Sequence, residues 1–184
     1  MMARTKVDRS FVTALGVALC VLAGCTSEPA SEPDAKPTSS AVTAATPTLN
    51  TVEEQARHDV LAAYNGYLEA YVKASATADY RTTELATYVG EPLLGQLLNS
   101  LFNMSRSGVH NEGRPTWSPR VTELRLDANQ AVIQDCFDST NWNTVGGKAK
   151  PTAQAKRYPV AVKAKRVNDK WYVYESTAQR SSTC

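Results

Sequence analysis

Residues 51–75 read TVEEQARHDVLAAYNGYLEAYVKAS, and this stretch predicts one long amphipathic helix. Its first residues match a capping box, with Thr51 as the N-cap and Glu54 three positions later. At 100° per residue the apolar side chains fall on one broad face. They are Val52, Ala56, Val60, Ala63, Tyr64, Tyr67, Ala70, Tyr71 and Ala74. We therefore expect a helix over residues 52–75 that opens a single folded domain spanning residues 51–184.

Two further helices are predicted before Gly108. A short helix covers residues 80–89 and stops at Gly90. A third helix begins near Pro92, because proline is tolerated in the first helical turn, and it ends at Gly108. Its apolar side is rich in leucine, and its polar side lacks the Lys and Arg residues of helices that lie on membranes. We therefore interpret the third helix as a core helix.

The pattern changes to strands after Gly108. Four segments are rich in β-branched and aromatic residues, namely 117–126, 130–137, 158–167 and 171–177. Residues 127–129 and 168–169 favour tight turns between antiparallel neighbours, whereas residues 138–152 are predicted to form a longer loop. Three helices followed by about four strands predict an α+β fold, in which the helices pack on one side of an antiparallel sheet.

The N-terminal segment has the parts of an export signal. Arg4, Lys6 and Arg9 give a positive start, and residues 11–21 are almost wholly apolar. This apolar run is shorter than the roughly 20 residues that a membrane-spanning helix needs. Residues 1–24 are therefore predicted to be a signal peptide.

The residues Leu22-Ala23-Gly24-Cys25 stand where the apolar run ends, and they resemble the lipobox of bacterial lipoproteins. The resemblance implies cleavage before Cys25 and attachment of a diacylglycerol to its thiol. Two acyl chains hold a protein on a bilayer where one chain gives only marginal binding. We therefore expect the protein to be anchored by lipid in the cytoplasmic membrane, on the extracytoplasmic face.

The chain from Cys25 onward begins with a tether and carries no formal net charge. Residues 25–50 contain four prolines among Ser, Thr, Ala and Glu, and such a segment has too few large apolar residues to fold. The full chain has a formal net charge of +2, and the three basic residues and one acid before Cys25 account for all of it. The charge therefore gives no argument for a nucleic-acid partner.

Cys136 and Cys184 are the cysteines that remain beyond the predicted anchor. Outside the membrane, two cysteines in one domain most simply form a disulfide. A zinc site needs more ligands than two cysteines and two distant histidines supply, and a catalytic thiol pair would usually show a Cys-x-x-Cys spacing. We expect no metal and no cofactor.

A more specific motif lies at residues 135–139, which read Asp-Cys-Phe-Asp-Ser and are followed by Trp142. With the lipobox, the tether, the order of helices and strands and the final cysteine, it resembles secreted lipoproteins of high-GC Gram-positive bacteria with a nuclear-transport-factor-2-like domain. The resemblance implies a cone-shaped, cystatin-like fold, with three N-terminal helices on a curved sheet, and a Cys136–Cys184 bridge. It brings no known activity, and this fold hosts enzymes and non-enzymes alike.

The strongest candidate for chemistry is Asp135, which alternates in phase with the apolar side of its predicted strand. Enzymes of the resembled fold place an acid or a histidine inside the cone, where burial raises the pKa of a carboxyl and suits it to act as a base. Tyr64, Tyr67 and Tyr71 could add hydroxyl donors, so these four residues form a candidate pocket. However, tyrosines on a helix face are usually core residues. A single carboxylate without a second catalytic group is weak evidence for an active site. We therefore assign no catalytic residue.

The sequence thus favours a non-enzymatic envelope lipoprotein whose domain binds a protein partner or a small apolar ligand. Two alternatives are an isomerase-like or dehydratase-like enzyme that uses Asp135, and an accessory subunit of a membrane transport or export complex. Residues 148–170 carry eight basic residues against one acid. This stretch is interpreted as a solvated outer face or as a contact with anionic lipid or wall polymer.

Overall fold

In the computed structural model, which describes residues 49–147 and 154–184, the predicted long helix spans Leu49–Thr77 and is labelled α1. Because α1 begins before Thr51, this residue lies in the first turn, and the prediction that it is the N-cap is wrong. The predicted signal peptide, the lipidation site Cys25 and the tether up to residue 48 lie outside the described residues.

The predicted apolar face of α1 is confirmed at most of its positions. The buried members are Ala56, Val60, Ala63, Tyr64, Tyr67, Ala70 and Ala74. Tyr71 is half-buried, and Leu68 adds a buried side chain that the helical pattern had not included. Val52 is 41% exposed, so the buried face begins one turn later than predicted.

The helix predicted over residues 80–89 is wrong, because this segment contains only a short 3-10 turn at Leu85–Thr87. The backbone N–H of Arg81 donates to the carboxylate of Asp79 at 3.0 Å. Side-chain acceptors of this kind compete with the backbone acceptors that a helix requires. Leu85 is fully buried, so the apolar pattern here marks burial without a helix. The described chain therefore has two α-helices rather than three.

The second helix, α2, spans Leu93–Arg106 and confirms the predicted core helix. Leu93 and Leu101 are its buried residues. Gly108 follows with a φ of +64°, a conformation that glycine adopts without the steric cost of a Cβ, and the chain turns there into the first strand. No helix in the described residues is long and apolar enough to cross a membrane.

The rest of the domain is built from strands. They are β1 (Val109–Gly113), β2 (Arg120–Arg125), β3 (Gln130–Asp138), β4 (Trp142–Gly146), β5 (Arg157–Val167) and β6 (Lys170–Ala178). The four predicted strands correspond to β2, β3, β5 and β6, which form one antiparallel sheet in the order β2-β3-β5-β6. Asn129, Asn168 and Asp169 have positive φ angles in its tight turns. The α+β class and the antiparallel sheet are therefore confirmed.

A second, two-stranded sheet was not predicted. It pairs β1 with β4 in antiparallel register, from Val109 opposite Gly146 to Gly113 opposite Trp142, and we call it the ribbon. Since β4 lies inside residues 138–152, the prediction of one long loop there is wrong. A Cβ on Gly146 would collide with the carbonyl oxygen of the residue before β1. The absence of a Cβ at Gly146 therefore permits this close strand pairing.

The core lies between α1 and one face of the four-stranded sheet. Along β3, Ala131, Ile133 and Phe137 are buried, and Asp135 follows the same alternation. Cys136 alternates to the other side of β3. This arrangement places one carboxylate among the apolar side chains under α1.

Candidate functional site

Asp135 is a buried acid that bonds to two other parts of the chain. Its side chain lies in the core and the residue is 5% exposed. The Tyr64 hydroxyl on α1 donates a hydrogen bond of 2.9 Å to Oδ2. The backbone N–H of Ser118, just before β2, donates one of 2.7 Å to Oδ1. Both carboxylate oxygens are therefore occupied by donors from the protein itself.

Burial and hydrogen bonding act in opposite directions on the pKa of Asp135. Desolvation is the largest effect and raises it, whereas the donors from Tyr64, Ser118 and the Cys136 backbone lower it. The net result is a pKa above the ordinary aspartate value. The pKa of Tyr64 is also raised, first by burial and then by the charge of Asp135. Tyr64 therefore keeps its proton and serves as the donor of the pair.

The other two predicted pocket residues continue a row of rings along α1. The ring centroids of Tyr64 and Tyr67 are 6.0 Å apart, and those of Tyr67 and Tyr71 are 6.4 Å apart. Burial raises the pKa of Tyr67, and the side chain of Ser176 offsets part of this increase. The structure thus brings the three tyrosines together, but only Tyr64 bonds to Asp135.

Three further aromatic residues were not assigned to the site from the sequence. The Phe137 ring lies 5.8 Å from Trp142 and 5.6 Å from Tyr158, and Trp142 lies 6.2 Å from Tyr71. Phe137 alternates in phase with Asp135, so the strand pattern could have assigned it to the site. No such pattern includes Trp142, because it lies in the segment predicted as a loop. We call these three residues and the three tyrosines of α1 the aromatic cluster.

The aromatic cluster is a packed group of rings. Its neighbouring rings stand at contact distances, so side chains occupy the space under α1. Within the described residues, Trp142 Nε1 is the one buried side-chain nitrogen or oxygen that lacks a hydrogen-bond partner. Open grooves of about 450 Å³ beside α2 and about 380 Å³ beside the first turns of α1 lie elsewhere. The pocket at Tyr64 and Asp135 stays a prediction.

Residues 49–147 and 154–184 contain no group of three His, Cys, Asp or Glu side chains that could hold a metal ion. The cysteines form a disulfide instead. Cys136 and Cys184 are bonded with a Cα–Cα distance of 6.0 Å and a separation of 48 residues. The predicted bridge is therefore present, and it fastens the last residue to the central strand β3.

The predicted basic stretch is partly neutralised by neighbouring acids. Lys163 pairs with Glu175 at 2.8 Å across β5 and β6. Arg166 pairs with Asp169 at 3.0 Å, and Arg157 lies 3.6 Å from a carboxylate oxygen at the end of β3. Three of the eight basic residues therefore have acidic neighbours, and two others, Lys148 and Lys150, lie outside the described residues. The contact with anionic lipid or wall polymer stays a prediction.

No protein-family model matches this chain, and no curated protein matches its sequence. Among solved structures, it is similar to the intermembrane-space region of the chloroplast protein ARC6, with 11% identity and a TM-score of 0.47, covering 66% of this chain and 95% of that one. It is also similar to Bd1075 of Bdellovibrio bacteriovorus, with 13% identity and a TM-score of 0.44, covering 72% of this chain and 44% of that one.

A third similar structure is a domain of unknown function with a cystatin-like fold from Nostoc punctiforme. Its identity is 11% and its TM-score 0.42, over 74% of this chain and 81% of that one. Structures this distant carry no argument about function. The α+β class rests on the helices and strands of the chain itself.

Proposed function

We propose that this protein is a lipoprotein held through Cys25 on the extracytoplasmic face of the cell membrane, and that its domain binds a protein partner or a small apolar ligand without catalysing a reaction. The basic start, the apolar run and the four residues ending in Cys25 support the anchor. The proline-containing segment that follows supports a tether. The cystine supports an oxidising location, since disulfides persist outside the cytosol.

One observation carries the non-enzymatic part of the proposal. Asp135 is the strongest candidate for a general base, and both of its oxygens accept hydrogen bonds from within the domain. A general base must reach the proton that it removes from a substrate. Asp135 is 5% exposed, so in this arrangement it does not reach a proton on a bound molecule. We therefore assign it the structural role of joining α1, β3 and the segment before β2.

The finer fold belongs to the same proposal. We assign the domain to the cone-shaped, nuclear-transport-factor-2-like class, because one long helix lies against a four-stranded antiparallel sheet whose buried face is apolar. An experimental structure should show the sheet wrapped around α1. A flat sheet that leaves Tyr64 and Tyr67 open to solvent would contradict the assignment.

A pocket enzyme is the second candidate. The raised pKa of Asp135 favours it, because raised values are common among catalytic acids and bases. The Asp135→Asn variant keeps a hydrogen-bond acceptor but cannot take up a proton. If any turnover is found, this variant should abolish it. Unchanged turnover would remove Asp135 from the mechanism.

The anchor is tested by the intact mass of the protein extracted from membranes, before and after reduction. The expected mass is that of residues 25–184 plus a diacylglycerol, with two hydrogens gained on reduction. A Cys25→Ser variant should lose the lipid and leave the membrane fraction.

The binding role is tested by native mass spectrometry and by pull-down from detergent-solubilised membranes. If the two experiments find neither a bound ligand nor a specific partner, the binding role is contradicted.

A further inference from the structure

A shallow groove runs beside α2, on the side away from the core. It has a volume of about 450 Å³ and is open to solvent along one side. Five of its side chains are uncharged and polar; they are Gln96, Asn99, Ser100, Asn103 and Ser107. Their spacing of three or four positions places them in one stripe along the helix. The groove is therefore lined by one continuous polar face.

The stripe differs in charge from the rest of the chain. Residues 93–105 contain no Asp, Glu, Lys or Arg, although such residues make up 21% of the sequence. The nearest charge on α2 is Arg106, whose guanidinium lies 5.7 Å from the ring centroid of Phe102. An exposed helix face usually carries charged residues. This one offers only amide and hydroxyl groups.

These polar groups are free for a ligand. In the described part of the chain, none of the five side chains makes a hydrogen bond to another protein group, although amides and hydroxyls can both donate and accept. Met104 and Val109 complete the lining and supply apolar contacts. The groove thus combines unused, neutral hydrogen-bonding groups with two apolar side chains.

The chemistry of this lining selects the class of ligand. A charged ligand would lose hydration and find no opposite charge among the lining side chains. An apolar ligand would leave amide groups covered and unpaired, which is unfavourable. A neutral ligand with many hydroxyl groups matches the side chains, and its C–H surfaces match Met104 and Val109. Because the groove is open rather than closed, a polymer can lie along it.

We infer that the groove beside α2 binds a neutral polysaccharide. The groove itself requires no anchor, but naming a polysaccharide of the cell envelope as its source rests on the location proposed above. This inference goes beyond the proposed binding of a protein partner or a small apolar ligand.

The test uses the lipidated protein in detergent and native electrophoresis through gels that contain a polysaccharide. Dextran, mannan and arabinogalactan are the neutral probes, and polygalacturonate is the anionic one. At least one neutral probe should retard the protein, and polygalacturonate should not. Retardation by none of the neutral probes, or equal retardation by polygalacturonate, would overturn the inference.

Variants on the same helix locate the binding. The double variant Asn99→Ala, Asn103→Ala should lower the affinity at least tenfold. Ser105→Ala is the matched control, because Ser105 is exposed on α2 but outside the stripe, and it should bind like the wild type. Alanine favours helix more than asparagine or serine, so all variants should fold, as circular dichroism will show. Equal binding by the double variant would overturn the groove assignment.

The mass of the same sample separates this inference from the proposed anchor. If the protein extracted from membranes carries no lipid but is still retarded by a neutral polysaccharide, the anchor is contradicted and the groove assignment stands. If the protein has the lipidated mass but no neutral polysaccharide retards it, the groove assignment is contradicted and the anchor stands.

Discussion

The hydroxyl of Tyr64 donates a 2.9 Å hydrogen bond to Oδ2 of Asp135, and this bond joins α1 to β3 inside the core. The Tyr64→Phe variant keeps the ring but leaves a buried carboxylate oxygen without its donor. We expect the free energy of unfolding to fall by about 2 kcal/mol, as is typical for hydrogen bonds to charged groups. Urea unfolding measures this loss. Tyr172→Phe, at a half-buried tyrosine outside the aromatic cluster, is the control, and equal losses in the two variants would contradict the prediction.

The raised pKa of Asp135 makes its contribution to stability depend on pH. A raised value means that the folded protein binds this proton more tightly than the unfolded chain does. The resulting stabilisation is complete below the ordinary aspartate pKa of about 3.9, and it is lost as the pH rises through the folded-state pKa. The wild type should therefore lose stability relative to Asp135→Asn as the pH rises above about 4. Urea unfolding of both proteins tests this, and a constant difference between them would refute it.

The buried tyrosines should resist alkaline titration. Burial raises the pKa of Tyr64, Tyr67 and Tyr158 above the ordinary value of about 10. Three of the eight tyrosines of the chain should therefore stay protonated in the folded protein at pH values where free tyrosine ionises. Ultraviolet titration should show these three ionising at higher pH than free tyrosine or when the domain unfolds. In denaturant all eight should titrate together; the same curve without denaturant would show that these three rings are solvated.

Gly66 should be an exception to the rule that alanine stabilises helices. In an ordinary helix interior the change from glycine to alanine is favourable by about 1 kcal/mol. A Cβ on Gly66 would instead overlap the ring of Tyr88, and overpacking typically costs about 1–3 kcal/mol. We therefore expect Gly66→Ala to lower the melting temperature. Gly95→Ala in α2 is the matched control, since its Cβ would approach only the flexible carboxylate of Glu91 at 3.2 Å, and it should be neutral or stabilising.

The disulfide should contribute strongly to stability. On the chain-entropy model, a bridge between residues 48 apart is worth about 4 kcal/mol. The double variant Cys136→Ser, Cys184→Ser should lose about this amount in urea unfolding without reductant. Reduced wild type should match the variant. If the oxidised wild type were no more stable than the variant, the bridge would not constrain the unfolded chain.

The sequence predicts those parts of the fold that have a regular pattern. The 3.6-residue period of α1 and the alternation of β3 place Tyr64 and Asp135 on facing buried surfaces. Neither pattern shows that the two side chains bond, because a contact 71 positions apart in sequence depends on how the helix lies across the sheet. The pocket residues could thus be named in advance, whereas the pairing of Asp135 with Ser118 could not.

The two errors in the predicted elements have different causes. Residues 80–89 have helical spacing, but Asp79 accepts a backbone N–H and interrupts it. Residues 142–146 contain polar residues and a glycine, so they resemble a loop, yet β4 exists because β1 supplies its partner. Trp142 joins the aromatic cluster for the same reason. A two-stranded ribbon is determined by pairing between distant segments, which a local pattern does not contain.

The covalent link from Cys184 to Cys136 also determines how the domain responds to force. If the protein is held by the proposed N-terminal tether and pulled at Cys184, tension passes through the bridge into β3 and bypasses β4, β5 and β6. The segment closed by the bridge cannot extend, and its sequence separation of 48 withholds about 170 Å of contour length at about 3.5 Å per residue. Mechanical unfolding would extend α1, α2, β1 and β2 and leave the closed loop unextended. The domain would therefore unfold from its N-terminal side.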